Sequence, residues 1–208
     1  CSNALFFRGG KVCEECLDHK NLWRGVFYGC YRNSRLMTAL MVRMLQDHWK
    51  RGTWLDMVDL YITATEFSRR KYITAGIPAE KIAVKPHVNL SDTVKENRDQ
   101  GYALYAGRLT PEKGVRILLE AWKKKAYLPL KIVGDGPMAA ELKKEFQGIE
   151  VDFLGFVPEG RYDECMKGAK FLIVPSLCYE NFPRVVAEAY SYGVPVLASS
   201  LGGFPEIV

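Results

Sequence analysis

Histidine is scarce in this 208-residue chain: His19, His48 and His87 stand alone and far apart. Being so scattered, they form no histidine cluster, and Cys178 has no nearby histidine that would make it a catalytic thiol. Long apolar runs are missing too. The run Thr38-Ala-Leu-Met-Val is short and is followed at once by Arg43, so no membrane span is expected. Neither an internal repeat nor a low-complexity tract is present. One sign of charge does not dominate, because 29 Lys and Arg against 24 Asp and Glu leave +5. Such a balance suits a small anionic ligand or an acidic membrane surface. It falls short of a nucleic-acid signature, and the basic residues are not interleaved with aromatics in one stripe, so no nucleic-acid partner is expected. What is present is 48% hydrophobic and 25% charged residues, the composition of a globular protein with a core. The length allows one large domain or two small ones. The chain starts at Cys1 rather than Met and stops in Gly202-Gly-Phe-Pro-Glu-Ile-Val208, which reads as the first turn of a helix; an internal piece of a longer protein is expected.

Along the chain, Gly9-Gly10 reads as a hairpin turn among four early cysteines. Apolar residues Leu36, Leu40, Met44 and Leu45 recur at helical spacing over 33–50. A buried strand is expected at 57–63, a helix at 65–75 ended by Gly76, and a strand at 82–85. Residues 89–100 are polar and aperiodic and form the expected linker. It divides the end of one domain, 1–88, from a second domain, 101–208. There strands are expected at 102–106, 130–133, 151–154, 171–174 and 195–198, with helices at 115–125, 138–146, 159–168 and 184–192 between them. Repeated βα units with helices of about ten residues predict an α/β fold, a Rossmann-like parallel sheet with helices on both faces.

Glu180 and Glu188 lie in Ser176-Leu-Cys-Tyr-Glu-Asn-Phe-Pro-Arg-Val-Val-Ala-Glu. With a helix starting at Pro183, both carboxylates can face the crevice where an open parallel sheet holds its ligand, and grip hydroxyls of one extended sugar-containing molecule. Asn181 is available as a helix cap. Val185, Val186, Ala187 and Ala189 make that helix apolar on most sides, so Glu188 needs a partner. The turn Gly107-Arg-Leu-Thr-Pro-Glu-Lys-Gly114 puts Arg108 and Lys113 in one loop ahead of a helix N-terminus, a place for a diphosphate; a solvated loop explains the same residues. In Val133-Gly-Asp-Gly-Pro137 the glycines, Gly134 first, supply backbone freedom, and Asp135 is expected in a turn role. Leu154-Gly-Phe-Val-Pro158 can pack against a flat base; core packing explains it equally.

The Gly-Arg-x4-Lys-Gly loop, the Val-Gly-Asp-Gly-Pro turn, the Leu-Gly-Phe-Val segment and the Glu-x7-Glu pair occur in this order. They are followed by Gly-Val-Pro-Val-Leu-Ala and Gly-Gly-Phe-Pro-Glu. In this the chain resembles the retaining GT-B glycosyltransferases of the family 4-like, group 1 kind over 101–208. Ala64-Thr-Glu-Phe and Val84-Lys-Pro-His-Val match that family's domain crossover. The resemblance implies transfer of a hexose from a nucleotide-diphosphate sugar to a glycan or lipid-linked acceptor without a catalytic metal. It assigns Arg108 and Lys113 to the diphosphate, Glu180 to the donor sugar and Glu188 to the ribose. Gly107 and Gly134 shape the donor loops, Val157 lies by the base, and backbone groups around Asn181, Phe182, Arg184 and Val185 approach sugar and phosphate. The family's Gly-Phe-Gly run is Asn181-Phe182-Pro183 here, and Pro183 brings no N–H. The family's histidine and glycine-rich loop are expected upstream of Cys1, and the enzyme in the cytoplasm or peripheral on the inner membrane face. His87, at the crossover, is expected in a structural role.

Cys1, Cys13, Cys16 and Cys30 include one Cys-x2-Cys pair, and four such thiols can surround a structural zinc. Buried free cysteines in a loop-rich insert are the plainer alternative; two disulfides need an oxidising compartment that nothing else indicates. Cys165 and Cys178 are expected buried and free. Arg32, Arg35, Arg69 and Arg70 form basic clusters, either a solvated face or a contact for an anionic acceptor or membrane. Two rival readings stand beside the transferase: a nucleotide-sugar epimerase of the same fold, and a zinc-stapled binding module without catalysis.

Overall fold

The structure, a computed structural model, describes residues 1–86 and 97–208. Its contacts divide the chain into two units, Cys1–Pro86 and His87–Val208. His87 and most of the expected linker lie outside the described residues.

The first unit opens with a hairpin, β1 (Phe7–Arg8) against β2 (Lys11–Val12), closed by Gly9 and Gly10 at φ 59° and 80°. Short helices α1 (Glu15–Asp18) and α2 (Trp23–Tyr28) follow. Helix α3 (Arg35–Lys50) starts where the Ser34 side chain accepts from the Met37 N–H, so the expected 33–50 helix begins at its cap. The buried strand expected at 57–63 shrinks to β3 (Tyr61–Thr63), because helix α4 (Thr53–Asp56) ends at Met57; Ile62 is 64% exposed. Helix α5 (Glu66–Ala75) is capped by Thr65 and stopped by Gly76 at φ 106°, and β4 (Ile82–Val84) pairs parallel with β3. Arg69 donates to the Ile82 and Ala79 carbonyls and pairs with Glu66. It ties α5 to β4 and is not part of a solvated basic face.

The second unit is the predicted doubly covered sheet. Its strands are β5 (Tyr102–Ala106), β6 (Leu130–Val133), β7 (Val151–Gly155), β8 (Ala169–Val174) and β9 (Val196–Ala198), all parallel in the order β7-β6-β5-β8-β9. Its helices are α6 (Val115–Lys124), α7 (Ala139–Glu145), α8 (Glu159–Lys167), α9 (Arg184–Ser191) and the terminal turn α10 (Phe204–Ile207). Successive β5 side chains point to opposite faces. Tyr102 and Leu104 pack with Met166 of α8 and Val186 of α9, while Ala103 and Tyr105 pack with Leu118 of α6 and Leu142 of α7. Burial on both faces is why the strand reads as an unbroken apolar run. Residues 97–100 hydrogen-bond to Lys167, Gly168 and Ala169, which ties the end of the expected linker to this unit.

Candidate active site

The chain leaves β5 for α6 and β6 on one side and reaches β8 and β9 on the other. The order therefore reverses between β5 and β8, and the carboxyl ends of strands at such a reversal are where open parallel sheets hold their ligands. Two loops meet at this point. Gly114, at φ 71°, lets the β5 loop press against the β8 loop: a Cβ there would lie 1.9 Å from the Pro175 carbonyl oxygen. Leu177 N–H donates to the Glu112 carbonyl at 2.8 Å and locks the two loops together.

Across this seam the Lys113 ammonium meets the Glu180 carboxylate, Nζ to Oε1 at 2.5 Å, with both side chains mostly buried. Ser176 Oγ donates to the same Oε1 at 2.9 Å. A third loop secures Glu180 from behind, since Gly203 N–H donates to its carbonyl at 2.7 Å and Gly202 passes too close to tolerate a Cβ. The structure thus brings Lys113 and Glu180 together, 67 residues apart in sequence. Arg108 stands exposed on the same loop, its carbonyl accepting from Tyr105 Oη at 2.8 Å.

Glu188 sits one helical stretch beyond. Tyr162 Oη donates to its Oε2 at 2.6 Å, and the largely exposed Arg184 reaches its other oxygen at 3.5 Å. Burial, then the bond to Glu188, holds the Tyr162 hydroxyl well above the usual tyrosine range, so it stays a donor. Sequence reasoning found Glu188 and its need for a partner but not Tyr162, which nothing in the local pattern of α8 distinguishes. Ser176 and the buried Glu112, which accepts from Thr110 Oγ1, were likewise invisible.

Several expected roles shift. Pro183 occupies the N-cap position of α9 with no side-chain cap hydrogen bond, so Asn181 is not the cap. Gly107 has an ordinary φ and meets only the Tyr105 ring and hydroxyl, at 3.3 Å and beyond. The turn's steric demand falls on Gly114 and on Gly134 instead. At φ 128°, a Cβ on Gly134 would lie 2.0 Å from the Gly107 carbonyl oxygen. Val157 turns into the core, and Phe156, 85% exposed, is the apolar side chain that faces outward there. Val185 packs partly against the same core, while Phe182 lies in the half-buried approach to α9. Asp135 accepts from the Gly136 N–H and serves the turn. Cys178 is buried, and burial followed by Glu180 pushes its thiol up to about 11, which keeps it protonated and inert.

In the first unit, Cys1, Cys13, Cys16 and Cys30 are free thiols. Among the described residues no group of three or more His, Cys, Asp or Glu side chains is set to hold a metal ion.

The sequence profile of the glycosyl transferases group 1 family matches residues 89–208. The chain belongs to that family. An O-antigen chain mannosyltransferase B of Escherichia coli is 29% identical over 74% of this chain and 46% of its own length. A lipopolysaccharide 1,2-N-acetylglucosaminetransferase of Salmonella typhimurium is 33% identical over 64% and 39%. The crystal structure of Anabaena HepE in complex with UDP-glucose is 26% identical with a TM-score of 0.63, over 72% of this chain and 47% of that one. This group 1 chain has the α/β GT-B fold class, and it spans less than half the length of these relatives. Among the described residues no helix is long and apolar enough to cross a membrane.

Proposed function

We propose that the protein to which this chain belongs transfers a hexose, with retention of anomeric configuration, from a nucleotide-diphosphate sugar to a glycan or lipid-linked acceptor in polysaccharide biosynthesis. The observation that carries the reading is the Lys113–Glu180 pair at the strand-order reversal. Each side chain is the other's counter-ion. A donor offers Lys113 the diphosphate and offers Glu180 sugar hydroxyls, so the pair exchanges one partner for one extended molecule.

Breaking the bond between sugar C1 and the diphosphate builds negative charge on the leaving group. Arg108 and Lys113 lie in the loop that precedes α6, and they stabilise that charge more in the transition state than before it. Their two positive charges make a divalent cation unnecessary for this step. In this reading Glu188, held by Tyr162, accepts from the ribose, and the exposed ring of Phe156 offers a face to the base. The HepE complex with UDP-glucose supports a nucleotide-sugar donor, and the lipopolysaccharide and O-antigen relatives support a glycan or lipid-linked acceptor.

The test is a thermal-shift panel of UDP-, GDP- and ADP-sugars followed by transfer assays in chelator. One donor is expected to raise the melting temperature by roughly 5 °C or more at saturation. Transfer is expected to continue without metal, with the product anomer matching the donor. Arg108→Ala is expected to lower kcat by about 10²-fold or more while the melting temperature stays within roughly 2 °C. Interconversion of the nucleotide sugar with no transfer to added acceptor would make the protein an epimerase.

A further inference from the structure

The first 33 residues are ordered without a core. Their buried residues are Ser2, Gly25 and Gly29, none of which brings an apolar side chain to bury. Yet this stretch holds every non-glycine residue at positive φ among the described residues: Ala4, Phe6, Lys20, Arg32 and Asn33. Each such conformation costs about 1–2 kcal/mol, and the apolar side chains here are at most partly buried. Ion pairs of Arg8 and Arg24 with Glu15 and of Lys71 with Glu14 brace the segment at its surface, and its interior holds thiols in place of apolar side chains.

Its elements carry four thiols to one place. The β1–β2 hairpin returns Cys13 beside its own entry, with the Cys13 N–H on the Phe6 carbonyl at 2.8 Å. Three residues on, Cys16 lies in α1. Helix α2 ends in the left-handed Gly29, and Cys30 N–H donates to the Gly25 carbonyl at 3.0 Å. Cys1 starts a turn closed by Ala4. All four cysteines line a single cavity of about 20 Å³, room for one water-sized particle or ion. Gly25 lets α2 come close, since a Cβ there would lie 2.5 Å from Ser2 Oγ and 3.6 Å from Cys16 Sγ. Ser2 Oγ, 5% exposed at the residue level, is buried with no hydrogen-bond partner, and so is Arg8 Nη1 on the cavity wall.

We propose that Cys1, Cys13, Cys16 and Cys30 bind one structural zinc ion as four thiolates. The thiols now line the cavity without converging on one point. A change of χ1 rotamer re-aims a cysteine sulfur, and the proposal requires such changes to bring the four sulfurs to Zn–S distances near about 2.3 Å. Zinc displaces the four thiol protons to solvent and nothing is oxidised. Four thiolates and Zn²⁺ leave two negative charges. The Arg8 guanidinium, ion-paired with Glu15 through Nη2, keeps Nη1 to donate to a thiolate, and Ser2 Oγ–H gains a sulfur to donate to, so both unpartnered polar atoms find a use. Zinc then closes a loop of 30 residues that has no apolar core of its own. The proposal is independent of the donor site.

The test begins with elemental analysis of the protein purified in reducing buffer without chelator. One equivalent of zinc is expected, released by a strong chelator together with the appearance of four reactive thiols. Reloading metal-free protein with Co²⁺ is expected to give the intense visible bands of a tetrathiolate. Cys16→Ser and Cys30→Ser are expected to lose zinc and about 10 °C in melting temperature, whereas Cys165→Ser keeps its zinc. Should the variants not fold, the metal content, Co²⁺ spectrum and thiol count of the unmodified protein decide alone. Less than roughly a tenth of an equivalent of zinc with no cobalt–thiolate band overturns the proposal. So do iron in its place or two disulfides found by mass spectrometry under native conditions.

Discussion

From Tyr102 to Phe204 the buried side chains form two apolar layers, one on each face of a parallel sheet. Residues 1–33 fully bury no apolar side chain and place five non-glycine residues at positive φ. In the second unit backbone geometry follows from side-chain burial, and departures from ordinary φ are confined to glycines such as Gly114 and Gly134. In the first segment the geometry is imposed on residues that do not favour it. The contrast teaches where substitutions are felt: in the sheet unit through steric fit at loop crossings, in the cysteine segment through whatever ties the chain ends together.

The largest expected effect separates two glycines that both have positive φ. Gly134→Ala puts a methyl 2.0 Å from the Gly107 carbonyl in a backbone region only glycine occupies readily. We expect a loss of about 3 kcal/mol or more in stability and loss of donor binding, because the β5 and β6 loops can no longer cross. Gly9→Ala has the same change of atoms at φ 59° with nothing within 4 Å. It is expected to cost only about 1–2 kcal/mol. Equal denaturation midpoints for the two variants would break the comparison.

Next are two ion pairs of similar burial. Lys113–Glu180 has side chains 25% and 15% exposed, and Lys71–Glu14 in the first unit 27% and 19%. Lys113→Met and Lys71→Met are each expected to cost about 1–2 kcal/mol of stability, since each leaves a partly buried carboxylate with one cation fewer. Only Lys113→Met is expected to lower kcat, by about 10²–10³-fold. Steady-state rates beside melting curves read the difference; similar rates in both would remove Lys113 from charge stabilisation.

The same contrast explains what could be read from the residues. The five strands of the second unit were legible because each is buried on both faces, so apolar runs alternate with helical periods and glycine turns. Lys113 and Glu180 were legible as types in the right loops. Their contact was not, because it depends on the strand order that places the β5 loop beside the β8 loop. Tyr162 as the partner of Glu188 was hidden for the same reason. In the first unit the 57–63 strand was overextended: Met57 and Leu60 are apolar but 71% and 53% exposed, and apolarity alone does not tell a strand from the end of a short helix. The resemblance named Gly107 and Gly134 together as shaping the donor loops, whereas positive φ belongs to Gly114 and Gly134.

The smallest effect concerns the tyrosines of the second unit. Burial pushes Tyr102 up to about 12, and burial also raises Tyr105 and Tyr162, the last helped by Glu188. For a group whose folded pKa lies above its unfolded value near 10, the stabilisation is complete below pH 10. It is lost as pH rises through the folded value, because the unfolded chain releases its proton first. The sheet unit is therefore expected to lose stability between about pH 10 and 12, with a slope of up to roughly 1.4 kcal/mol per pH unit for each such tyrosine. Tyr162→Phe removes one of these groups together with the hydrogen bond on Glu188. We expect it to cost about 1 kcal/mol at pH 8, weaken nucleotide binding by about 5-fold, and make the alkaline decline shallower. Denaturant titrations of both proteins at pH 8, 10 and 11 measure the first and the third, and a nucleotide titration at pH 8 measures the second. A parallel decline in the variant would mean that Tyr162 ionises no differently in the folded protein than in the unfolded chain, and that its hydroxyl does not hold Glu188 in place.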